Sequence, residues 1–227
     1  MNLIFDWIFA QYQGVPTHLI YVEVIGVFFG LISVIFSKNR NIWVYPTGII
    51  NTVLFVYLLW EGRLFGDMLI NAYYTIMSIY GWILWAKNSK DAIHVEISQM
   101  NSYDTKIMVV LSLLSWFFVM GVYYFKPYIS NHFSWEGIEL GFYHFVWTDW
   151  VDATTTAIFL VGMWLMARRK IENWIFWIIG NVISIPLYMY KNLILTALQY
   201  LVFTIIAILA YQEWKKNLYK PQALASE

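Results

Sequence analysis

The chain has 227 residues, of which 60% are hydrophobic, 20% aromatic and 12% charged, and its formal net charge is zero. Soluble domains hold about 45–50% apolar and about 25% charged residues, so this composition excludes an ordinary soluble protein and leaves a single membrane bundle. The absence of cysteine excludes disulfides, thiolate metal sites and palmitoylation, while the zero net charge says little beside its asymmetry across the membrane; no nucleic-acid partner is expected.

In chain order, Met1–Gln13 is apolar but lacks the basic stretch of a cleavable signal. With the residues to about 17 it reads as an N-terminal segment along the outer interface. Apolar runs long enough to cross roughly 30 Å of hydrocarbon then predict seven transmembrane helices. They fall at about 18–37, 41–60, 64–86, 107–125, 146–167, 171–190 and 193–214. The longest connections, Lys87–Lys106 and Lys126–Phe145, bracket the fourth span. Seven crossings put Arg63, Lys126 and Lys191 on one side and the other eleven of the 14 Lys+Arg on the opposite side. Positive charge stays inside, so the N-terminus is expected outside and the tail, about 215–227, in the cytoplasm.

The apolar segments repeat, and polar residues return in near register. Glu23 and Asp152 lie 129 apart, Asn51 and Asn181 130, Asn71 and Gln199 128, and Trp85 and Trp214 129. Polar groups inside a membrane are costly, which makes such a recurrence informative. The fold expected is therefore an all-α membrane protein of two three-helix repeats, about 18–86 and about 146–214, joined by a connector, about 87–145, that carries the fourth helix. One extra crossing makes the two repeats parallel, related by an axis along the membrane normal. Bundles of this kind with a polar site between the halves carry small solutes.

Helical rise puts Asn51 and Asn181 roughly 15 Å into their helices, near the midplane. Asn71 and Gln199, then Glu23 and Asp152, lie nearer the outer face, as along a solute path. Pro46 and Pro186 fall in spans two and six and read either as helix breaks lining a cavity or as packing kinks. Enzymes fit poorly. His18, His94, His132 and His144 lie at span ends or in loops, away from membrane acids, and no G-x-S-x-G elbow or phosphate loop occurs. No cofactor or metal is expected.

The densest cluster is E-N-W-I-F-W-I-I-G-N-V-I-S, Glu172 to Ser184. Trp174, Trp177, Asn181 and Ser184 are spaced by three, four and three and share one helical face. Indole faces stack flat rings and attract cations, while amide and hydroxyl groups bond ring substituents. Competing readings are an interfacial aromatic belt for the tryptophans, Trp174 above all, and interhelical hydrogen bonding for Asn181 and Asn51. Asn71, Gln199, Asn173 and Asp152 complete the candidate set, with Asp152 and Glu23 either pairing with a cation or simply solvated at the outer mouth.

The span-six pattern E-N-W-x-x-W-x-x-x-N-x-x-S, G-I-I-N at Gly48–Asn51, R-L-F-G-D-M-L at Arg63–Leu69 and Y-G-W-x-x-W at Tyr80–Trp85 resemble the PnuC family of bacterial vitamin-precursor transporters. The resemblance runs from about Glu23 to Trp214. It implies uptake of nicotinamide riboside across the inner membrane for NAD synthesis by facilitated diffusion, with a cytoplasmic kinase trapping the substrate. It further implies a SWEET-like 3+1+3 fold, a homotrimer in lipid, and substrate-facing Trp177, Asn181, Asn173 and Asn51. Relatives that carry thiamine or riboflavin leave the exact flat vitamin open, and a receptor or scaffold is the distant alternative.

Overall fold

The computed structural model of the chain describes residues 14–61, 65–87, 96–190 and 194–218. Expectations that fall on residues 1–13, Arg63, Lys90, His94, Lys191 and the tail beyond Leu218 lie outside the described residues. The described elements are helical. They are α1 (Thr17–Lys38), α2 (Val44–Glu61), α3 (Phe65–Lys87), α4 (Ser102–Tyr124), a one-turn α5 (Lys126–Ser130), a 3-10 turn at Phe142–His144, α6 (Trp147–Ala167), α7 (Asn173–Tyr190) and α8 (Ile194–Leu218). Five of them, α1, α2, α4, α6 and most of α8, are long and apolar enough to cross a membrane.

Where the helices begin is set by local chemistry. α4 starts about five residues before the expected span because Asn101 and Asp104 form a reciprocal cap. The Asp104 N–H donates to Asn101 Oδ1 at 2.8 Å and the Asn101 N–H to Asp104 Oδ2 at 3.2 Å, satisfying two orphan donors of the first turn. Pro46 is the third residue of α2. In a first turn its missing N–H would be unpaired anyway, so it breaks nothing. Pro186 does lie inside a helix, α7.

Two of the turns match in atomic detail. Between α1 and α2, N–H groups of Asn39, Arg40 and Asn41 donate to carbonyls of Ile35, Ser37 and Phe36 at 3.2, 3.0 and 2.9 Å. Between α6 and α7, Arg168, Arg169 and Lys170 donate to Trp164, Met166 and Leu165 at 3.1, 2.9 and 2.9 Å. Each residue of the second turn lies 129 positions beyond its counterpart. Arg40 and Arg169 are both in the left-handed region, at φ 56° and 58°, a single residue of which reverses the chain after each helix. Packing follows the same correspondence: α1 against α2, α2 against α3, α6 against α7 and α7 against α8, with α1 meeting α8 and α3 meeting α6 across the halves. α4 packs chiefly on α6.

At the end of the bundle that carries these turns, the segment before α4 is tied to the second one. Ser98 and Lys170 form an isolated parallel bridge, and the Met100 N–H donates to Glu172 Oε1 at 3.0 Å. The Asp104 carboxylate is fully buried between Lys170 Nζ at 2.8 Å and an Arg168 amino group at 3.2 Å. Lys170 Nζ also donates to the Gln99 carbonyl at 3.0 Å. A buried carboxylate is tolerated where charge and hydrogen bonds surround it, and both do here.

Candidate functional site

Between the halves lies a half-open cavity of about 380 Å³. Its lining draws on α1, α2, α3, α6, α7 and α8. Of the nine residues expected at a solute site, six line it: Asn51, Asn71, Trp174, Trp177, Asn181 and Gln199.

Stacked rings form one wall. Tyr188 stacks on Tyr200 at 5.1 Å between centroids, Tyr200 on Phe159 at 6.1 Å and Phe159 on Trp177 at 5.5 Å, with interplanar angles of 15°, 18° and 28°. Tyr74 tilts against Trp177 at 6.4 Å. Gly180 makes the Phe159 position possible, since a Cβ there would fall onto the ring. Phe159 escaped the sequence reading because an aromatic on an apolar span gives no sign of whether it faces lipid or a cavity.

Rings also close the cavity at the end carrying Arg40 and Arg169. Tyr45 meets Trp85 edge-on at 5.0 Å and Trp174 meets Trp214 edge-on at 5.6 Å, with 6.2 Å between Trp85 and Trp214. The two edge-on pairs are counterparts, 129 residues apart. The Trp214 indole donates to the Ser37 carbonyl at 3.0 Å. Trp174 and Trp85 are thus packed inside the protein, at 3% and 0% exposed, and are not belt residues.

The amides occupy the remaining wall. Asn181 is 3% exposed, while Gln199 is open to the cavity. Asn51 Nδ2 donates to the Gly26 carbonyl at 2.8 Å, so one N–H ties α2 to α1 and its Oδ1 and second N–H stay available. The regular offset of 129 makes Thr52, not Asn51, the counterpart of Asn181, and Gly180 the counterpart of Asn51. Both asparagines nonetheless reach the same cavity.

Three expected residues sit elsewhere. Asn173 is wholly buried in the α6–α7 turn, its Nδ2 donating to the Lys170 carbonyl at 2.6 Å. Ser184 is 1% exposed and is not in the lining, although it shares the α7 face with residues that are. Asp152 accepts a 2.8 Å hydrogen bond from the Tyr123 hydroxyl of α4 and also lies outside the lining. Among the described residues no lysine, arginine, histidine, aspartate or glutamate lines the cavity, and no cluster of His, Asp and Glu fit to hold a metal occurs. Aromatic faces and neutral hydrogen-bonding groups are what it offers a solute.

A model of the nicotinamide mononucleotide transporter family matches residues 20–216. The chain belongs to this family. Its members are transporters and not enzymes. Relatives include the nicotinamide riboside transporter PnuC of Escherichia coli, 24% identical over 206 residues that cover 86% of this chain and 85% of that protein. A riboflavin/roseoflavin transporter, RibM of Streptomyces davaonensis, is 20% identical over 197 residues, 87% and 85% of the two chains. PnuC of Neisseria mucosa is 22% identical over 196 residues, 82% and 69% of the two chains. A crystal structure of the vitamin B3 transporter PnuC superposes with a TM-score of 0.62 at 21% identity, covering 95% of this chain and 87% of that one, which establishes the shared fold.

Proposed function

We propose that the chain takes up nicotinamide riboside across the bacterial inner membrane by facilitated diffusion, through alternating access about the cavity between its halves. Two parallel three-helix repeats joined by α4 as connector form the moving parts, with the N-terminus outside. A cytoplasmic kinase that phosphorylates the riboside would trap it for NAD synthesis. The apolar outer faces of α1 and α4 offer surfaces for lipid and for a homotrimer.

The observation that carries this reading is a cavity lined by stacked aromatics and four carboxamides with no charged side chain among the described lining residues. Nicotinamide riboside is a flat pyridinium with a carboxamide and a ribose. Trp177, backed by Phe159, supplies the stacking face, which favours a cation by roughly 0.5–2 kcal/mol or more when dry. Asn181 and Asn51 fit the carboxamide, and Gln199 and Asn71 the ribose hydroxyls. A phosphorylated nucleotide would bring up to two negative charges into a site where no described lining residue is a cation to meet them, which is costly. The lining therefore favours the riboside over the mononucleotide.

The test is uptake of labelled riboside into liposomes by the wild-type protein and by Asn181→Leu. The wild type is expected to equilibrate the riboside, and the variant to remain folded but lose binding and flux. Unchanged affinity in Asn181→Leu contradicts the assignment. Flux of thiamine in place of the riboside moves the substrate to another flat vitamin, and absence of all flux favours a receptor.

A further inference from the structure

The two repeats place their glycines reciprocally around the cavity. On α1 and α2 the contacts run in three layers: Ser33 over Gly48, Asn51 over Gly30, and Phe55 over Gly26, where a Cβ on each glycine would come within 3.1, 2.8 and 3.1 Å of the residue that covers it. Counterparts 129 residues on are Gly162 with Trp177, Phe159 with Gly180, and Thr155 with Ser184. In the first layer the large residue has moved from nothing on α2 to Trp177 on α7, which leans over Gly162 at 3.5 Å from an added Cβ. In the second, Gly30 corresponds to Phe159 and Asn51 to Gly180. Duplication alone would give two like walls. The exchange gives one wall with two stacked rings and another with Gly30, Ser33, Gly48 and Asn51, all four of which line the cavity.

Ser33 is itself committed, its hydroxyl donating to the Val44 carbonyl at 2.8 Å. It therefore cannot swing aside to admit bulk at Gly48 without giving up that bond. The indole volume present at Trp177 is thus absent at the matching place in the first repeat.

We infer that the first-repeat wall is the size filter of the site, with Gly48 its determining residue: the recess at Gly48 holds the width of a single heteroaromatic ring stacked on Trp177. This rests on the proposed role of the cavity as the solute site. The filter assigns the ligand ring one place, against Trp177 with an edge towards Gly48, while its substituents meet the amides of both repeats. It also makes the admitted ring width a property of small residues and not of the stacking aromatics. Side chains at Gly48 close the site to wide rings first and to all rings as they grow.

The test uses the full-length protein in detergent, titrated with nicotinamide riboside, thiamine and riboflavin as probes of increasing ring span. Gly48→Ala puts a Cβ 3.1 Å from Ser33 Oγ, a contact that yields with a shift of a few tenths of an ångström, so this variant should fold. Gly48→Leu is the stronger variant, and Gly121→Leu on α4, where an added Cβ meets nothing within 4 Å, is the control. For whichever probe the wild type binds, affinity should fall in the order wild type, Gly48→Ala, Gly48→Leu, by about tenfold or more at Leu, and stay unchanged in the control. A folded Gly48→Ala and Gly48→Leu that bind as the wild type does would overturn the filter while leaving the site in place. A wild type that binds none of the three overturns the solute-site reading itself, and the filter with it.

Discussion

Trp177 and Asn181 stand one helical turn apart on α7, and both reach the cavity because helical positions i and i+4 share a face. If the indole is the stacking platform, Trp177→Ala should weaken riboside binding by about 1–3 kcal/mol, or roughly 5- to 150-fold, as for other ring–aromatic stacks. Isothermal titration reads this directly, and a loss below twofold would assign Trp177 to packing instead. Phe159→Leu should cost less, since one stacked neighbour remains. The same helical spacing brings Trp177 and Asn181 to the cavity without keeping every neighbouring side chain there. Ser184 continues the face but ends up 1% exposed beneath neighbouring helices, and Asn173, one position before Trp174, is turned into the α6–α7 reversal. Spacing tells which residues share a face; only packing decides how far along the helix that face stays open.

At the scale of elements, the Asp104 carboxylate with Lys170 and Arg168 ties the start of α4 to the α6–α7 turn, in addition to the packing of α4 on α6. Its side chain is fully buried while Arg168 keeps about a third of its own surface, 33%, in contact with solvent. Removing one member of a buried pair leaves the other uncompensated, at a cost of about 3–5 kcal/mol. Asp104→Ala should therefore lower the thermal unfolding midpoint in detergent by several degrees. Riboside affinity measured well below that midpoint should not change, because none of the three residues lines the cavity. An unaltered midpoint would mean that the cluster is replaceable by solvent. None of this was readable beforehand: Asp104 and Lys170 are 66 positions apart, and nothing in local pattern joins them. The cap of α4 was readable in principle, since asparagine followed three residues later by an acid precedes the apolar run. Hydropathy placed that helix late because Tyr103, Asp104 and Lys106 depress it locally.

For the whole molecule, the duplication was visible in sequence as an approximate register, and the turns at Arg40 and Arg169 sharpen it to a constant 129. The approximate register had paired Asn51 with Asn181. The sharper one sets amide against glycine and glycine against aromatic, Asn51 against Gly180 and Gly30 against Phe159. Such divergence is invisible to a search for likeness, because it is the unlike pairs that shape the cavity. Among the described residues the lining carries no titratable group other than tyrosine, which has a consequence for the transport cycle. Tyrosine stays neutral throughout the physiological range, so riboside affinity should be flat between about pH 6 and 8, and liposome uptake should not respond to an imposed pH gradient. Uptake driven by such a gradient would require a proton site outside the cavity.

The central claim is that this uncharged, aromatic and amide-lined cavity receives a riboside. Calorimetric titration of the purified wild type with nicotinamide riboside and, separately, with its 5′-phosphate tests it most directly. The account predicts clear binding of the riboside and affinity for the phosphate lower by about a hundredfold or more, given the several kcal/mol cost of an unmatched charge in a dry site. Equal or tighter binding of the phosphorylated compound would contradict it.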